Sequence, residues 1–279
     1  IMFAIICVCL VSACAPNPSK GNYTQSAALI DAVKQENIQQ VQALINSKTN
    51  LNVQNVQGQT ALMLAVQKKS RSIISLLLSA GVDINLTDAK GRSALHYAMN
   101  NRDDLAAVKL MEAGADLNLV DHENFTAFAL ALKNRDVKMA RALMHKGAKV
   151  DSPDFIILLA VKNAIPEIIP DLIKAGANIN AADTDGLNPL LYAAQNGQSK
   201  IVDQLIGAGA NSNIYDHNGW TPLMYLILQG AEKQARILIS KGDSLDRANQ
   251  FGRTALAMAA TQGLTTVCSA LISKKADTN

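Results

Sequence analysis

The stretch GRSALHYAMNNRDDLAAVKLMEAGADLN, residues 91–118, contains the pattern that predicts the fold. Its apolar residues form two short helical patterns, and the polar run NNRDD separates them. Ser93 stands where it can cap the first helix by accepting a backbone hydrogen bond, and Gly114 stands where the second helix must end with positive φ. The stretch therefore predicts a helix, a turn and a second helix, followed by residues with the chemistry of a tight hairpin turn.

The same pattern recurs along most of the chain. Its glycine is found at positions 81, 114, 147, 176, 209 and 242, so the copies are 33 residues apart except for one interval of 29. A ladder of leucines follows the same register: Leu44, Leu77, Leu110, Leu143, Leu172, Leu205, Leu238 and Leu271. A ladder of mostly small residues marks a close-packing position: Ala32, Ala65, Ala98, Ala131, Ala160, Ala193, Leu226 and Ala259. Eight leucines imply eight repeats, one of them shortened.

The repeated motifs suggest a known family. The period of about 33 residues, together with WTPLMYL (220–226), LNPLLYA (187–193) and RSALHYA (92–98), resembles the ankyrin repeat. The resemblance covers residues 26–279 and implies an all-α solenoid of about eight helix-turn-helix units with β-hairpin tips. The family's motif histidine survives only as His96, which we interpret as a structural capping partner rather than a catalytic base.

The first residues of the chain have a different character. IMFAIICVCLVSACAPNPSK, residues 1–20, contains an apolar run of about twelve residues, whereas a membrane-spanning helix needs about twenty. The run is typical of a secretory signal. Val11 to Cys14 resemble the lipobox of bacterial lipoproteins, which implies a signal peptide over residues 1–13, a lipid on Cys14 and a flexible tether over residues 14–25.

Two alternatives remain for this segment. It could be a buried N-terminal helix whose cysteines act as small hydrophobic residues, or an uncleaved anchor. Signal peptides normally begin with Lys or Arg, and none precedes Lys20, so the start at Ile1 suggests a clipped sequence.

Composition and spacing argue against catalysis and nucleic-acid binding. The 26 basic and 23 acidic residues are well mixed and give a net charge of +3, so no basic stripe for phosphates is expected. His122 and His217 lie three repeats apart and cannot share a metal ion. Cys268 follows a buried register and is predicted to be an inert core thiol. No phosphate loop, nucleophile elbow or metal-spaced cysteine pair occurs. We therefore expect no enzyme, cofactor, metal site or small-molecule substrate.

Particular features are expected of the shortened repeat and of the two ends. Between Val150 and Asn180 four residues are missing from the hairpin tip. Pro166 is predicted to begin the second helix of that repeat, and Pro170 to kink it by removing a hydrogen bond. Both end repeats are expected to present polar outer surfaces, through glutamines at the start and through Lys274 and Lys275 at the end.

The ankyrin resemblance also implies where a partner would bind. In that family proteins usually dock on the hairpin tips and the adjoining surface of the inner helices. By register these positions are Lys90, Arg92, His122, Glu123, Phe125, Asp185, Leu187, His217, Asn218, Trp220, Gln250, Phe251 and Arg253. Aromatic and arginine side chains are enriched at interface hot spots, which favours a contact ridge. Alternatively, Trp220 and Phe251 only pack over their own hairpins.

The functional prediction combines these parts. We expect a non-catalytic scaffold for protein–protein interaction, anchored by lipid to a bacterial envelope membrane, facing the periplasm or the exterior, and binding an unidentified protein through its tips and concave face. Two alternatives are a structural or protective envelope protein that stabilises a neighbouring enzyme, and a host-directed virulence factor. The fold alone does not choose among them.

Overall fold

The computed structural model describes residues 27–150, 156–242 and 245–276, and in them the chain forms eight pairs of helices. The first helices are α1 (27–34), α3 (Ala61–Gln67), α5 (Ala94–Asn100), α7 (Ala127–Lys133), α9 (Ile156–Lys162), α11 (Pro189–Gln195), α13 (Pro222–Leu228) and α15 (Ala255–Thr261). The second helices are α2 (Ile38–Asn46), α4 (Arg71–Ser79), α6 (Asp104–Glu112), α8 (Val137–His145), α10 (Ile169–Lys174), α12 (Ser199–Gly207), α14 (Glu232–Lys241) and α16 (Thr265–Ser273). The predicted all-α repeat solenoid is confirmed.

The helices belong to two compact units. Helices α1 to α6 lie in the unit that ends at Ala115, and α7 to α16 lie in the unit that begins at Asp116. Within the first unit α3 packs against both α4 and α5. Within the second unit α11 packs against α9, α12 and α13, and α13 packs against α15. Each repeat in the middle of a unit therefore buries its first helix against its own partner helix and against neighbouring repeats.

The two ladders read from the sequence form the cores of these units. The leucine ladder is at most 1% exposed from Leu77 to Leu271, and only Leu44 of the first repeat is half-buried. The small-residue ladder is equally buried, including Leu226, its one larger member. Small side chains at this position let adjacent helices approach closely.

At the position equivalent to Ser93, four threonines cap the first helices of their repeats. The side chains of Thr60, Thr126, Thr221 and Thr254 each accept a hydrogen bond from the backbone amide three residues ahead. Asn188 caps α11 in the same way, with a distance of 2.8 Å from its Oδ1 to the Leu191 nitrogen. Each cap satisfies an amide that the helix itself leaves without an acceptor, and such a cap stabilises a helix by about 1 kcal/mol.

His96 has the structural role expected of it. Its side chain is buried, and its Nδ1 lies 2.9 Å from the Ser93 hydroxyl and 3.2 Å from the Ser93 amide nitrogen. Since the imidazole is tied to the residue before α5, it closes the first turn of that helix.

The hairpin tips are turns rather than strands. In the described residues the only β-bridge joins Gln54 to Thr60. The other tips are closed by short-range backbone bonds, such as that from the Asp216 amide to the Trp220 carbonyl at 3.0 Å.

The shortened repeat differs from what its prolines suggested. Helix α10 begins at Ile169, not at Pro166, and has six residues. Pro170 therefore lies in the first turn, where an amide has no acceptor within the helix and its loss breaks no hydrogen bond. The predicted start at Pro166 and the predicted kink at Pro170 are both wrong: the helix is shortened instead. The cut hairpin tip falls on residues 151–155, which lie outside the described residues.

Cys268 is also less buried than predicted. Ala235 and Val202 occupy the equivalent position in the two preceding repeats and are fully buried, whereas Cys268 is half-exposed. The reason is that, among the described residues, no helix packs over this side of α16.

Candidate protein-interaction surface

Each hairpin tip is built on one side chain that holds the turn. The described tips are the five-residue turns 55–59, 88–92, 121–125, 183–187, 216–220 and 249–253. The first residue of each is Asp or Asn, and its Oδ1 accepts hydrogen bonds from the amides two and four residues ahead. For Asp216 these donors are Asn218 and Trp220, both at 2.9 Å. The fourth residue has positive φ and is glycine in most tips, but Asn124 takes this conformation with φ 64°. Such turns tolerate Asn because its short polar side chain favours left-handed backbone.

This geometry divides the predicted contact residues into two groups. The exposed group is Lys90, His122, Glu123, Asp185, His217, Asn218, Gln250, Phe251 and Arg253. The half-buried group, at the fifth position of the tips, is Arg92, Phe125, Leu187 and Trp220. Exposed residues can meet a partner, whereas Arg92, Phe125 and Trp220 also contact side chains of the first helix that follows.

In the first unit the half-buried position belongs to a polar cluster. The Arg92 guanidinium donates to Asp88 Oδ2 at 2.8 Å and to the Tyr97 hydroxyl at 2.9 Å. The Tyr97 hydroxyl in turn donates to Asp88 Oδ2 at 2.7 Å, and Gln59 from the preceding tip donates to it at 2.7 Å. Arg92 therefore holds the tip onto α5, and its side chain is largely engaged within the protein.

The cluster shifts the ionisation of its members. Burial opposes ionisation of Asp88, but the bonds from the Arg92 side chain and backbone, from Tyr97 and from the Lys90 amide prevail and lower its pKa to about 2. Burial, together with the neighbouring Asp88 carboxylate, raises the pKa of Tyr97. At neutral pH the cluster therefore holds one carboxylate, one guanidinium and one neutral phenol.

In the second unit an aromatic pair takes the place of the ion pair. The rings of Trp220 and Tyr225 stack with centroids 5.1 Å apart and an interplanar angle of 26°. The Tyr225 hydroxyl donates to Asp216 Oδ2 at 2.6 Å, and Gln195 donates to that hydroxyl at 3.3 Å. Burial, followed by the hydrogen bond to Asp216, raises the pKa of Tyr225. Trp220 thus packs locally while it keeps part of its ring exposed.

In two other tips a lysine side chain contacts the aromatic or the acidic residue of the tip. Lys133 lies 4.4 Å from the ring centroid of Phe125, which is within the range of a cation–π contact. Lys162 donates to Asp183 Oδ2 at 2.7 Å. Burial opposes ionisation of Asp183, but the bond from Lys162 lowers its pKa.

The last tips of the second unit form a groove. It has a volume of about 480 Å³, and its lining includes Asp185, His217, Asn218 and Gln250, four of the residues predicted from the sequence. Arg247, also in the lining, lies over the ring of Tyr215 at 3.1 Å from the centroid. An acidic, a basic and several amide groups therefore face one concavity with an aromatic wall.

Sequence reasoning missed the tyrosines beneath the tips. Tyr97 and Tyr225 each lie nine residues after the aspartate that holds the tip, and each donates its hydroxyl to that aspartate. The recurrence of Asp and Tyr at this separation was the available signal.

Among residues 27–150, 156–242 and 245–276, no three His, Cys, Asp or Glu side chains converge on a possible metal position. None of the helices in those ranges is both long and apolar enough to cross a membrane. Cys14, the predicted lipidation site, lies outside them.

The paired helices and the side chains projecting from short turns define the class of protein: it is a helical-repeat protein. Comparison with known families then shows which family it belongs to. The family model described as Ankyrin repeats (3 copies) matches residues 6–88, 29–121, 81–154, 157–249 and 192–279. The chain belongs to the ankyrin repeat family.

Solved structures agree with this assignment. An ankyrin repeat domain from Acinetobacter baumannii AYE is 30% identical with a TM-score of 0.60, over 66% of this chain and 98% of that one. The human ASB11 ankyrin repeat domain is 25% identical with a TM-score of 0.60, over 79% of this chain and 100% of that one. Comparison with curated proteins gives no match. Ankyrin repeat domains are generally protein-interaction modules rather than enzymes.

Proposed function

We propose that this protein is a non-catalytic scaffold that binds another protein through its hairpin tips and the adjoining surface of the first helices. The observation that carries the proposal is the tip geometry: one carboxylate or amide, buried or half-buried, fixes each described turn and leaves two or three side chains projecting from it. Side chains held on a rigid turn lose little conformational freedom on binding, which favours affinity. Phe251, 66% exposed, and the stacked Trp220 supply the apolar anchors typical of interface hot spots.

The partner surface can be tested after crosslinking in cells and identification of the recovered proteins. Trp220→Ala and Phe251→Ala should each weaken binding of a purified partner by about 1–4 kcal/mol, because each removes an aromatic anchor. Leu105→Ala is the matched control, since Leu105 is 62% exposed but lies on α6, away from the tips. Unchanged affinity in both aromatic variants, or loss of helical content in both, would remove the tips from the proposal.

We further propose that lipid on Cys14 anchors the scaffold to a bacterial envelope membrane, facing the periplasm or the exterior. The support is the sequence VSAC at the end of a short apolar run. Each buried methylene contributes about 0.8 kcal/mol, and two or more acyl chains are needed for stable anchoring.

Metabolic labelling with palmitate tests the anchor. The wild-type chain and Cys9→Ala should be labelled and sediment with membranes, whereas Cys14→Ala should lose both properties. Equal labelling of Cys14→Ala would refute lipidation at that residue. The class of protein recovered by crosslinking, whether an envelope enzyme or a host protein, then decides between a resident scaffold and the two alternative functions.

A further inference from the structure

The second helices of the second unit form one surface. Helices α10, α12, α14 and α16 each pack against the next in this order. Three ion pairs cross from one repeat to the next on this surface, at 2.7, 3.8 and 3.7 Å: Arg141 with Asp171, Lys200 with Glu167, and Lys233 with Asp203. The first of them joins α8 to α10, so five helices lie side by side, and at the usual spacing of packed helices they cover about 30–40 Å. By register this surface consists of residues 137–147, 166–176, 199–209, 232–242 and 265–275, which we call the outer face of the second unit.

The outer face is strongly basic. Its five segments contain ten Lys or Arg residues and four Asp or Glu residues, a net charge of +6, whereas the whole chain has +3. The equivalent segments of the first unit, residues 38–48, 71–81 and 104–114, contain three basic and two acidic residues. The positive charge is therefore particular to the second unit and is not a general consequence of the repeat.

All four acidic residues of the outer face already have a partner on it. Three form the ion pairs given above, and Glu232 accepts a hydrogen bond from the Thr266 hydroxyl. Seven exposed cations of the face have no carboxylate partner among the described residues: Lys138, Lys146, Lys174, Arg236, Lys241, Lys274 and Lys275. Five of them lie at helix C-termini, where a cation offsets the helix dipole, but Lys138 and Arg236 do not. Helix dipoles thus account for only part of the charge.

The segments that carry the hairpin tips of the same unit have the opposite charge. Residues 116–125, 178–187, 211–220 and 245–253 contain seven acidic and two basic residues, a net charge of −5. The fold separates charges that are mixed along the sequence, because successive repeats place equivalent positions side by side. This is why the well-mixed composition did not predict a basic surface. An anionic surface would attract the outer face and repel the tips.

The residue types of the outer face favour a membrane over a macromolecular partner. Eight of its ten cations are Lys, a point charge without the directional requirements of Arg. Its five segments contain no Phe, Tyr or Trp, the residues on which nucleic-acid bases stack and which anchor protein interfaces. An anionic lipid surface requires neither, since basic residues near it act through their charge alone.

From these observations we infer that the outer face of the second unit binds the anionic headgroups of a membrane surface. The unit lies on the membrane through its second helices, and its acidic tips point away from the lipid, where they can meet a partner protein. The inference depends neither on lipid at Cys14 nor on binding at the tips, because it concerns other residues and its test measures a different quantity.

Vesicle flotation of the full chain tests the inference, with protein made by cell-free synthesis so that it carries no lipid. The measured quantity is the partition coefficient on phosphatidylcholine vesicles that contain about 30% phosphatidylglycerol, divided by that on phosphatidylcholine alone. Insertion of the apolar run within residues 1–13 would contribute equally to both, so the ratio isolates the effect of charge. The wild-type ratio should be about a hundredfold at about 0.1 M salt and should fall towards one at about 1 M, because salt screens the attraction.

Charge reversal locates the contact. Lys138→Glu combined with Arg236→Glu should reduce the ratio by about ten- to a hundredfold, because it replaces two exposed cations of the outer face with carboxylates. Lys149→Glu combined with Arg253→Glu is the matched control. It makes the same two substitutions at exposed residues of the same unit that do not belong to the outer face, and it should keep a ratio close to that of the wild type.

Each other outcome overturns the inference. A wild-type ratio near one excludes anionic lipid and leaves an acidic protein as the occupant of the face. Equal ratios for the two double variants place the contact elsewhere. Tighter binding to duplex DNA, per phosphate, than to the anionic vesicles assigns the face to nucleic acid. If circular dichroism shows that Lys138→Glu with Arg236→Glu loses helical content, Lys138→Gln with Arg236→Gln decides instead: an unchanged ratio in that folded variant refutes the inference.

Discussion

Replacement of Asp88 by Asn would separate the two roles of the residue that holds a hairpin tip. Its Oδ1 accepts from the amides of Lys90 and Arg92, at 2.8 and 2.9 Å, and its Oδ2 accepts from the Arg92 guanidinium and the Tyr97 hydroxyl. Asn55 makes the same two backbone bonds in the preceding tip, both at 2.9 Å. Asp88→Asn should therefore keep the turn and remove only the charge that the Arg92 and Tyr97 side chains recognise.

The pKa of Asp88 gives the size of the effect. It is about 2 in the folded protein against an ordinary value of 3.8, which corresponds to a stabilisation of at most about 2 kcal/mol, because solvent at the tip screens part of the interaction. Since the pKa is lower in the folded state, the folded protein favours the ionised form. This stabilisation is fully present above about pH 4 and is lost as the pH falls through about 2.

The measurement is the free energy of unfolding in urea, monitored by far-ultraviolet circular dichroism. It is made first at neutral pH and then at decreasing pH. Asp88→Asn should be less stable than the wild type by about 2 kcal/mol at neutral pH, and the difference should disappear near pH 2. Asp185→Asn is the control, because Asp185 is an exposed carboxylate on another tip. A stability difference that is absent at neutral pH, or that persists unchanged in acid, would refute the assigned role of the carboxylate.

Three other perturbations test the packing. Leu205→Ala should lower the free energy of unfolding by about 2–5 kcal/mol, because Leu205 is fully buried. Hydrogen exchange should increase in α14 as well as in α12, since the two helices pack together. An increase confined to α12 would contradict a core shared between repeats. Gly58→Ala should lower the melting temperature more than Gly81→Ala. Both glycines have φ +75°, but a Cβ on Gly58 would lie 2.7 Å from the Ala89 backbone nitrogen, whereas a Cβ on Gly81 would meet no atom within 4 Å. Equal decreases in melting temperature would refute the close approach at Gly58. In a spectrophotometric titration with base, Tyr225 should ionise at a higher pH than an ordinary tyrosine, because its pKa is raised. Tyr225→Phe should therefore reduce the absorbance change seen at the highest pH values. An unchanged absorbance change there would contradict the contact with Asp216.

The repeat core could be predicted because local and periodic signals agree there. A leucine every 33 residues specifies a position that is buried against neighbouring repeats, and a Thr before an apolar run specifies a helix start by a bond within three residues. Neither inference requires knowledge of distant contacts. The same reasoning failed at Pro170, because a proline is accommodated equally well if the helix simply begins later, and only the packing of the shortened repeat fixes where α10 starts.

The side-chain clusters beneath the tips could not be predicted in the same way. Asp88, Asp183 and Asp216 each precede a tyrosine by nine residues, yet only the first and the last accept a hydrogen bond from that tyrosine. At Asp183 the ammonium group of Lys162 occupies Oδ2 instead, 21 residues away in sequence. Which partner prevails depends on a side chain delivered by the preceding repeat.

The two interpretations of Trp220 are therefore compatible. Asp216 fixes the turn through its Oδ1 and the Tyr225 hydroxyl through its Oδ2, so the ring on which Trp220 stacks is anchored to the same carboxylate as the Trp220 amide. A tryptophan held from both sides retains an exposed part in a fixed position. Since a preordered aromatic anchor loses less rotational freedom when a partner binds, local packing at this tip strengthens the case for contact instead of replacing it. Phe251, which has no such stack beneath it among the described contacts, would have to be ordered by the partner itself.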